Sequence, residues 1–176
     1  TIKNSANTTN YFSIPYFSVL SQNKDLTFTP RLYTNADFLL QTEYRQENKE
    51  SSHVTDFSLF NQKGDSKSHF FYKYNKFIEF ANFDEGNINL KIEKTSNDTY
   101  LRKSKLSSPL FRSFNVLENT FGINLSSDKF SLDTEFKVYE DLDKVESSDR
   151  YEFILPKFDI TKKIENFTNL AGNFLF

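Results

Sequence analysis

Few residues in this chain are equipped for chemistry. Its 176 residues include two histidines, His53 and His69, and no cysteine. Neither histidine has a second donor at i, i+4, the spacing that puts two metal ligands on one helix face. Both are expected on a strand or loop surface. Without cysteine there is no thiolate zinc site, disulfide framework or Cys nucleophile. No Gly-x-Ser-x-Gly elbow, phosphate-cradling loop or dinucleotide fingerprint occurs. Asp133 and Glu135 fall on one strand face, but a polar, wet surface accounts for them. The run Glu140-Asp141-Leu142-Asp143-Lys144-Val145-Glu146 has oxygen donors for calcium. It lacks the central Gly and terminal Glu of an EF-hand loop, and is expected to be a solvated loop. The stretch Arg102-Lys103-Ser104-Lys105, with Arg112 nearby, could meet phosphate groups, a solvated loop being the plainer reading. The expectation is a protein that is not an enzyme and needs no metal or cofactor.

These residues need a scaffold, and composition narrows it. Apolar residues make up 37%, yet aromatics reach 17% through 21 Phe and 9 Tyr. That aromatic content argues against a disordered chain. Four Gly and four Pro exclude collagen-like and Gly-rich material. A net charge of −2 argues against a nucleic-acid binder held by bulk electrostatics. No run is long and apolar enough for a membrane helix, which needs about 20 such residues. The length predicts one domain or part of a larger one. Thr at the first position and the ending Asn173-Phe174-Leu175-Phe176 suggest an internal fragment, the alternative being a mature chain after signal cleavage.

Period-two alternation runs almost the whole length, the signature of strands. Leu26, Phe28, Pro30 and Leu32 oppose Thr27, Thr29 and Arg31. Phe38, Leu40, Thr42 and Tyr44 oppose Asp37, Gln41, Glu43 and Arg45, with Leu39 the exception. Over 69–82, Phe70, Tyr72, Tyr74, Ile78 and Phe80 oppose His69, Lys73, Asn75 and Glu79. Ile88, Leu90 and Ile92 oppose Asn89, Lys91 and Glu93. Phe130, Leu132, Phe136 and Val138 oppose Ser131, Asp133, Glu135 and Lys137. Further strands are expected at 10–20, 53–61, 119–127, 150–161 and from 167 on. Turn residues separate them, as at 61–65, 83–86 and 126–129. No helix is expected, and 101–118 reads as loop with short strand pieces.

Two all-β architectures fit one apolar face. A sandwich buries it against a second sheet. An outer-membrane barrel turns it to lipid and keeps the polar face around a wet interior. Strands of about 10–14 residues, against roughly 5–6 in ordinary sheets, favour the barrel. So do full charges on the polar faces. Connections near 21–24, 83–86 and 126–129 are short, as periplasmic turns are, while 96–118 and 142–149 are long and fall by parity at the other end. The expected fold is therefore an all-β, antiparallel up-and-down meander, a partial transmembrane barrel of about ten strands. The alternative is a soluble or surface-exposed sandwich acting as a binding module.

The run Asn10-Tyr11-Phe12-Ser13-Ile14-Pro15-Tyr16-Phe17, followed by Asn23-Lys24-Asp25-Leu26-Thr27-Phe28-Thr29-Pro30-Arg31, resembles the first barrel strands of the LPS-assembly family LptD, also called OstA or organic solvent tolerance protein. Leu40-Gln41-Thr42-Glu43-Tyr44-Arg45 matches the stretch that follows in that family. Asn97-Asp98-Thr99-Tyr100-Leu101-Arg102 and Leu155-Pro156 resemble later stretches, in the same order. The resemblance covers about residues 10–160. The usual Trp and Gly richness of the family is missing here.

The resemblance implies an outer-membrane location and a role in lipopolysaccharide transport and assembly. Residues 1–176 would be the early part of a C-terminal barrel domain, truncated at both ends, with a periplasmic jellyroll and further strands elsewhere. Implied partners are lipopolysaccharide, an LptE-type plug lipoprotein and the periplasmic Lpt bridge protein, with no nucleic acid. A lateral gate weakened by two prolines is implied, the second mapping onto Pro15 and the first lying upstream of Thr1. Proline lacks an N–H and belongs at sheet edges or interruptions. Pro30 is read as an edge or bulge residue with no transport role. Arg102, Lys103, Lys105 and Arg112 become candidate contacts for lipopolysaccharide phosphates.

Overall fold

The computed structural model describes residues 2–5, 8–62, 64–80, 83–110, 112–167 and 170–175. Alternating side chains over nearly the whole chain build one antiparallel sheet. Its strands are β1 (Ile2–Ser5), β2 (Thr8–Ser13), β3 (Tyr16–Ser21), β4 (Lys24–Tyr33), β5 (Phe38–Glu47), β6 (Ser51–Gln62), β7 (Asp65–Phe77), β8 (Glu85–Thr95), β9 (Val116–Ser126), β10 (Phe130–Asp141), β11 (Tyr151–Phe167) and β12 (Leu170–Leu175). The order is β1-β2-β4-β5 and onward to β12, with β3 paired to β4 beside β2. The sheet is an open up-and-down meander. All the described strands lie in it, and among the described residues no second sheet packs on its apolar face as a sandwich requires.

Cross-strand register decides which residues share a face. Phe12 faces Leu32, which faces Phe38. Phe57 faces Phe70, and Leu90 lies between Tyr74 and Phe121, itself opposite Phe136. Leu132 continues that face beside Leu125 and Ile160. On this outer face Phe12, Leu32, Leu59, Phe70, Phe136 and Phe158 are each more than 40% exposed. The other face carries Gln41, Ser58 and His69 in one row and Glu43, Asp56, Phe71 and Glu93 in another. Further along it lie Asn89, Gly122 and Glu135. Its polar residues include several that are almost fully buried: Asp56 and Ser58 at 0%, His69 at 1%. Apolar outside and polar inside inverts the usual arrangement of a water-soluble sheet.

Several boundaries differ from the sequence expectation. The single strand expected at 10–20 is broken at Ile14 and Pro15. The strand expected at 69–82 ends at Phe77, and Phe80 pairs only with Phe83 in an isolated bridge. There Gly86 allows the Ile78 carbonyl to approach to where a Cβ would stand, 2.5 Å away. A helical turn, α1 (Tyr100–Ser104), stands in the segment expected to be loop, and α2 (Ser147–Arg150) precedes β11. Both are too short for a helical period to register in sequence. In β11, Leu155 and Pro156 together oppose Phe136, since Lys157 faces Glu135 and Ile154 faces Lys137. That is a β-bulge with proline at the unpaired position.

The connections alternate as the parity argument requires. Short links between β3 and β4, and between β9 and β10, lie at one end. The long links 96–115 and 142–150 lie at the other. The longer of these does not stand out into solvent. It folds back over the inner face and forms the molecule's one buried apolar cluster among the described residues. Leu39 and Phe71 from the sheet meet Tyr100, Leu101, Leu106 and Leu110 from the connection, joined by Leu117 and Leu142.

Candidate functional site

The inner face of β4–β7 and the segment folded onto it hold the densest polar chemistry. The segment begins with a turn. Asn97 Oδ1 accepts bonds from the Thr99 amide at 3.1 Å and hydroxyl at 3.0 Å. This starts α1, whose buried residues Tyr100, Leu101 and Ser104 face the sheet. Arg102 and Lys103 occupy the last turn, where cations complement the helix C-terminus, and Lys105 ends it in a left-handed conformation with φ 43°.

Beneath α1, the sheet donates to two carbonyls of the segment. Arg31 Nη1 donates to the Ser104 carbonyl at 2.6 Å, across 73 positions of sequence. Gln41 Nε2 donates to the Ser107 carbonyl at 2.8 Å and to both Asp56 oxygens at 3.0 Å. The Tyr100 hydroxyl and the His69 Nδ1 each lie 2.6 Å from Ser58 Oγ. His69 Nε2 is 3.3 Å from Asp56 Oδ1. Burial, opposed by the Ser58 hydrogen bond, pushes the Tyr100 hydroxyl up to about 12.

Serine, histidine and aspartate side by side on one face are the residue types of a nucleophilic relay. The row cannot serve as one here. Ser58 and Asp56 are wholly buried, and Tyr100 occupies the approach to the Ser58 hydroxyl. A reacting carbonyl has nowhere to sit. A cavity of about 380 Å³ lies at the short-turn end among Phe77, Ile78, Glu85 and Asn124 and touches none of these residues. Among the described residues no three His, Cys, Asp or Glu come together to hold a metal. The row is a buried polar core held by the Gln41 and Ser58 hydrogen bonds, with His69 Nε2 left without one.

His69 is therefore corrected from a surface residue to a fully buried one, because the inserted segment covers its strand. His53 stays on the outer face, only partly exposed, with Nδ1 2.8 Å from the Tyr72 hydroxyl. Sequence reasoning missed Arg31, Gln41, Asp56, Ser58 and Tyr100 as a group. Their partners lie on a segment with no period, and only the aromatic at 100 followed by Leu101 hinted at a buried turn.

The four candidate basic residues divide. Arg102 Nη1 is 3.0 Å from Asp143 Oδ1, half-exposed. Arg112, at 82% side-chain exposure, is 3.9 Å from Glu118. Lys103 and Lys105 are exposed beside Ser104, pointing away from the sheet. All four sit at the long-connection end, on one inserted segment and its return. The acidic run pairs with arginines: Asp143 with Arg102, and Glu140 with Arg150 at 2.7 Å.

Pro15 lies at the break between β2 and β3. Ser13 faces Arg31 and Tyr16 faces Phe28. Both strands advance three residues across the break, so its register is unshifted. Ile14 and Pro15 thus stand opposite Pro30 and Thr29 without ladder pairing. Pro30 faces Leu40 of β5 on one side and lies in the unpaired gap on the other, a local edge as read from sequence, with no bulge in β4 there. Two prolines flank one gap. Beyond it β3 is a free edge among the described residues, while β1 covers β2.

No family model matches the chain. Over 173 residues it is 27% identical to the LPS-assembly protein LptD of Pseudoalteromonas atlantica (strain T6c / ATCC BAA-1087). The similarity covers 90% of this chain and 22% of that relative's length. The chain is thus similar to one region of a much longer LPS-assembly protein.

Proposed function

We propose that this chain is part of a transmembrane β-barrel of the LptD type that delivers lipopolysaccharide to the outer leaflet of a bacterial outer membrane. The observation that carries the reading is the outer face. Phe, Leu, Ile and Tyr recur across the strands of this face and many stay exposed, Phe12, Leu32, Leu59, Phe70, Phe136 and Phe158 among them, while the opposite face is polar and partly covered by the chain's own connection. In water such a surface is a liability; against acyl chains it is satisfied. Similarity to LptD over most of the chain supports the cargo. The role is transport, with no bond made or broken by this region and no cofactor required. Partners on this reading are lipopolysaccharide, an LptE-type plug lipoprotein and the periplasmic Lpt bridge protein. Lys103, Lys105, Arg102 and Arg112 lie at the end that would face outward, where phosphate groups arrive.

On the same reading, Pro15 weakens the ladder near a lateral seam, and Pro30 opposite widens the weakness to both strands. Restoring an N–H at Pro15 allows a ladder bond worth about 0.5–1.5 kcal/mol. Pro15→Ala in the full-length protein is expected to lower surface lipopolysaccharide at matched barrel levels. Pro156→Ala, at the bulge on the far side of the sheet, is the control. Normal delivery by Pro15→Ala, or an equal defect in Pro156→Ala, would contradict the gate assignment.

A further inference from the structure

We infer that residues 96–110 form a lid over the inner face, latched through Arg150, and that release of the latch bares Arg31 as an anion-binding group.

Over the polar row the lid presents oxygens to the sheet. Ser104 and Ser107 offer main-chain carbonyls and Tyr100 a hydroxyl, to Arg31, Gln41 and the Ser58–His69 row. Arg31 is the revealing member. It is 6% exposed and forms no ion pair with a carboxylate among the described residues. Its guanidinium meets neutral groups: the Ser104 carbonyl, the Tyr33 hydroxyl and the face of Tyr11, 5.0 Å from the ring centroid. Buried guanidinium groups are ordinarily paired with an anion, and the fork geometry suits carboxylate or phosphate. The Ser104 carbonyl fills that position with a neutral oxygen. A phosphate group offers the same acceptor with a charge.

The latch sits at the root of the lid. Arg150 Nη1 and Nη2 take both Asp98 oxygens, at 2.9 and 2.6 Å. Arg150 Nε and Nη2 also reach Glu140 Oε1 at 2.8 and 2.7 Å. One side chain thereby ties the lid to β10 and to the connection before β11. Arg102 adds a second, half-exposed tie to Asp143. A bidentate, largely buried arginine clip is the kind of surface ion pair that holds position. Salt and competing charge weaken it from outside, without disturbing the sheet.

The 176 residues contain no cysteine, so a reporter thiol in this region is read cleanly by peptide mapping. Ser104→Cys places one under the lid at a position 9% exposed. In the detergent-solubilised full-length polypeptide, maleimide labelling at residue 104 is expected to be slow. Arg150→Gln should speed it about tenfold, because labelling follows the open population. Arg150→Lys, which cannot grip both oxygens, should fall between. Asp98→Ala should reproduce the effect with the arginine intact. Labelling of Thr120→Cys, on the inner face outside the lid, should stay unchanged, separating lid opening from unfolding. Inorganic pyrophosphate should speed labelling of the Arg150→Gln protein further, compared with chloride at equal ionic strength, and Arg31→Gln should abolish that increment. Unchanged labelling in both latch variants overturns the lid. Faster labelling at residue 120 as well overturns it in favour of general destabilisation. Lid opening that pyrophosphate does not promote overturns the role of Arg31.

Discussion

Phe70 and Phe71 are neighbours in β7 with opposite surroundings. Phe71 is 1% exposed beneath Tyr100 and Leu101; Phe70 is 42% exposed on the outer face. The same side chain serves two solvents. Inward, it helps close a small core between sheet and lid. Outward, it belongs to a surface with no protein partner. The difference teaches that burial in this molecule follows from one connection folding back, while the outer apolar face takes its stability from whatever surrounds it.

The largest expected effect comes from breaking the inward side. Phe71→Ala should destabilise the full-length protein by about 3–5 kcal/mol, because a rigid wall leaves a cavity. Phe70→Ala should cost clearly less in a bilayer, since acyl chains fill the space. Urea unfolding in liposomes measures both, and equal losses would erase the distinction between the faces.

Charge sharpens the same contrast. Leu90→Arg or Leu132→Arg should cost ~2–4 kcal/mol when folding is followed in liposomes. The adjacent inward positions should tolerate Asn89→Arg or Asp133→Arg at much lower cost. Asn89 already lies among Asn75, Gly122 and Asn124, and Asp133 beside Asn124 and Asp159.

A smaller effect probes the lid contact. Tyr100→Phe should cost about 1 kcal/mol, the net worth of one hydrogen bond. The Tyr100 hydroxyl ionises near 12 in the fold against an ordinary 10.0. Its raised value means the stabilisation is full below pH 10 and lost as pH rises towards 12. Tyr100→Phe should remove that alkaline loss, visible in thermal unfolding across this range.

The smallest effect lies at the latch. Hydrogen bonds from Arg150 hold the Asp98 carboxyl below its ordinary 3.8. A lowered value contributes stability that is full above 3.8 and lost as pH falls through the lower folded value. Asp98 is about half exposed, so solvent screens much of it. Acid titration below pH 4 should therefore open the lid slightly, by the residue-104 labelling test, and Asp98→Ala should abolish this pH dependence.

How much of this was legible follows from what writes a period into sequence. The meander was readable because Leu90 and its neighbours alternate strictly and each strand repeats the rule. The face of most strand residues follows from that parity, including Asn89 and Asp133, and the bulge at Leu155 and Pro156 is where it breaks. The lid was not readable. Its contacts join Arg31 to Ser104 and Ser58 to Tyr100, long-range pairs between a strand and a segment with no repeat. Burial of His69 depends wholly on that segment, so its own strand pattern marked it as surface. Pro15 was legible as an interruption, but Pro30 was not recognisable as its partner until the register aligned the two.

The central claim is that the outer face meets lipid. Spin labels at Leu90 and Leu132, and at Asn89 and Asp133, in the full-length protein reconstituted in liposomes test it most directly. Collision with dissolved oxygen reports acyl surroundings, and collision with a water-soluble nickel chelate reports aqueous ones. The account predicts high oxygen and low nickel accessibility at residues 90 and 132, with the reverse at 89 and 133. Equal nickel accessibility at all four sites would contradict it.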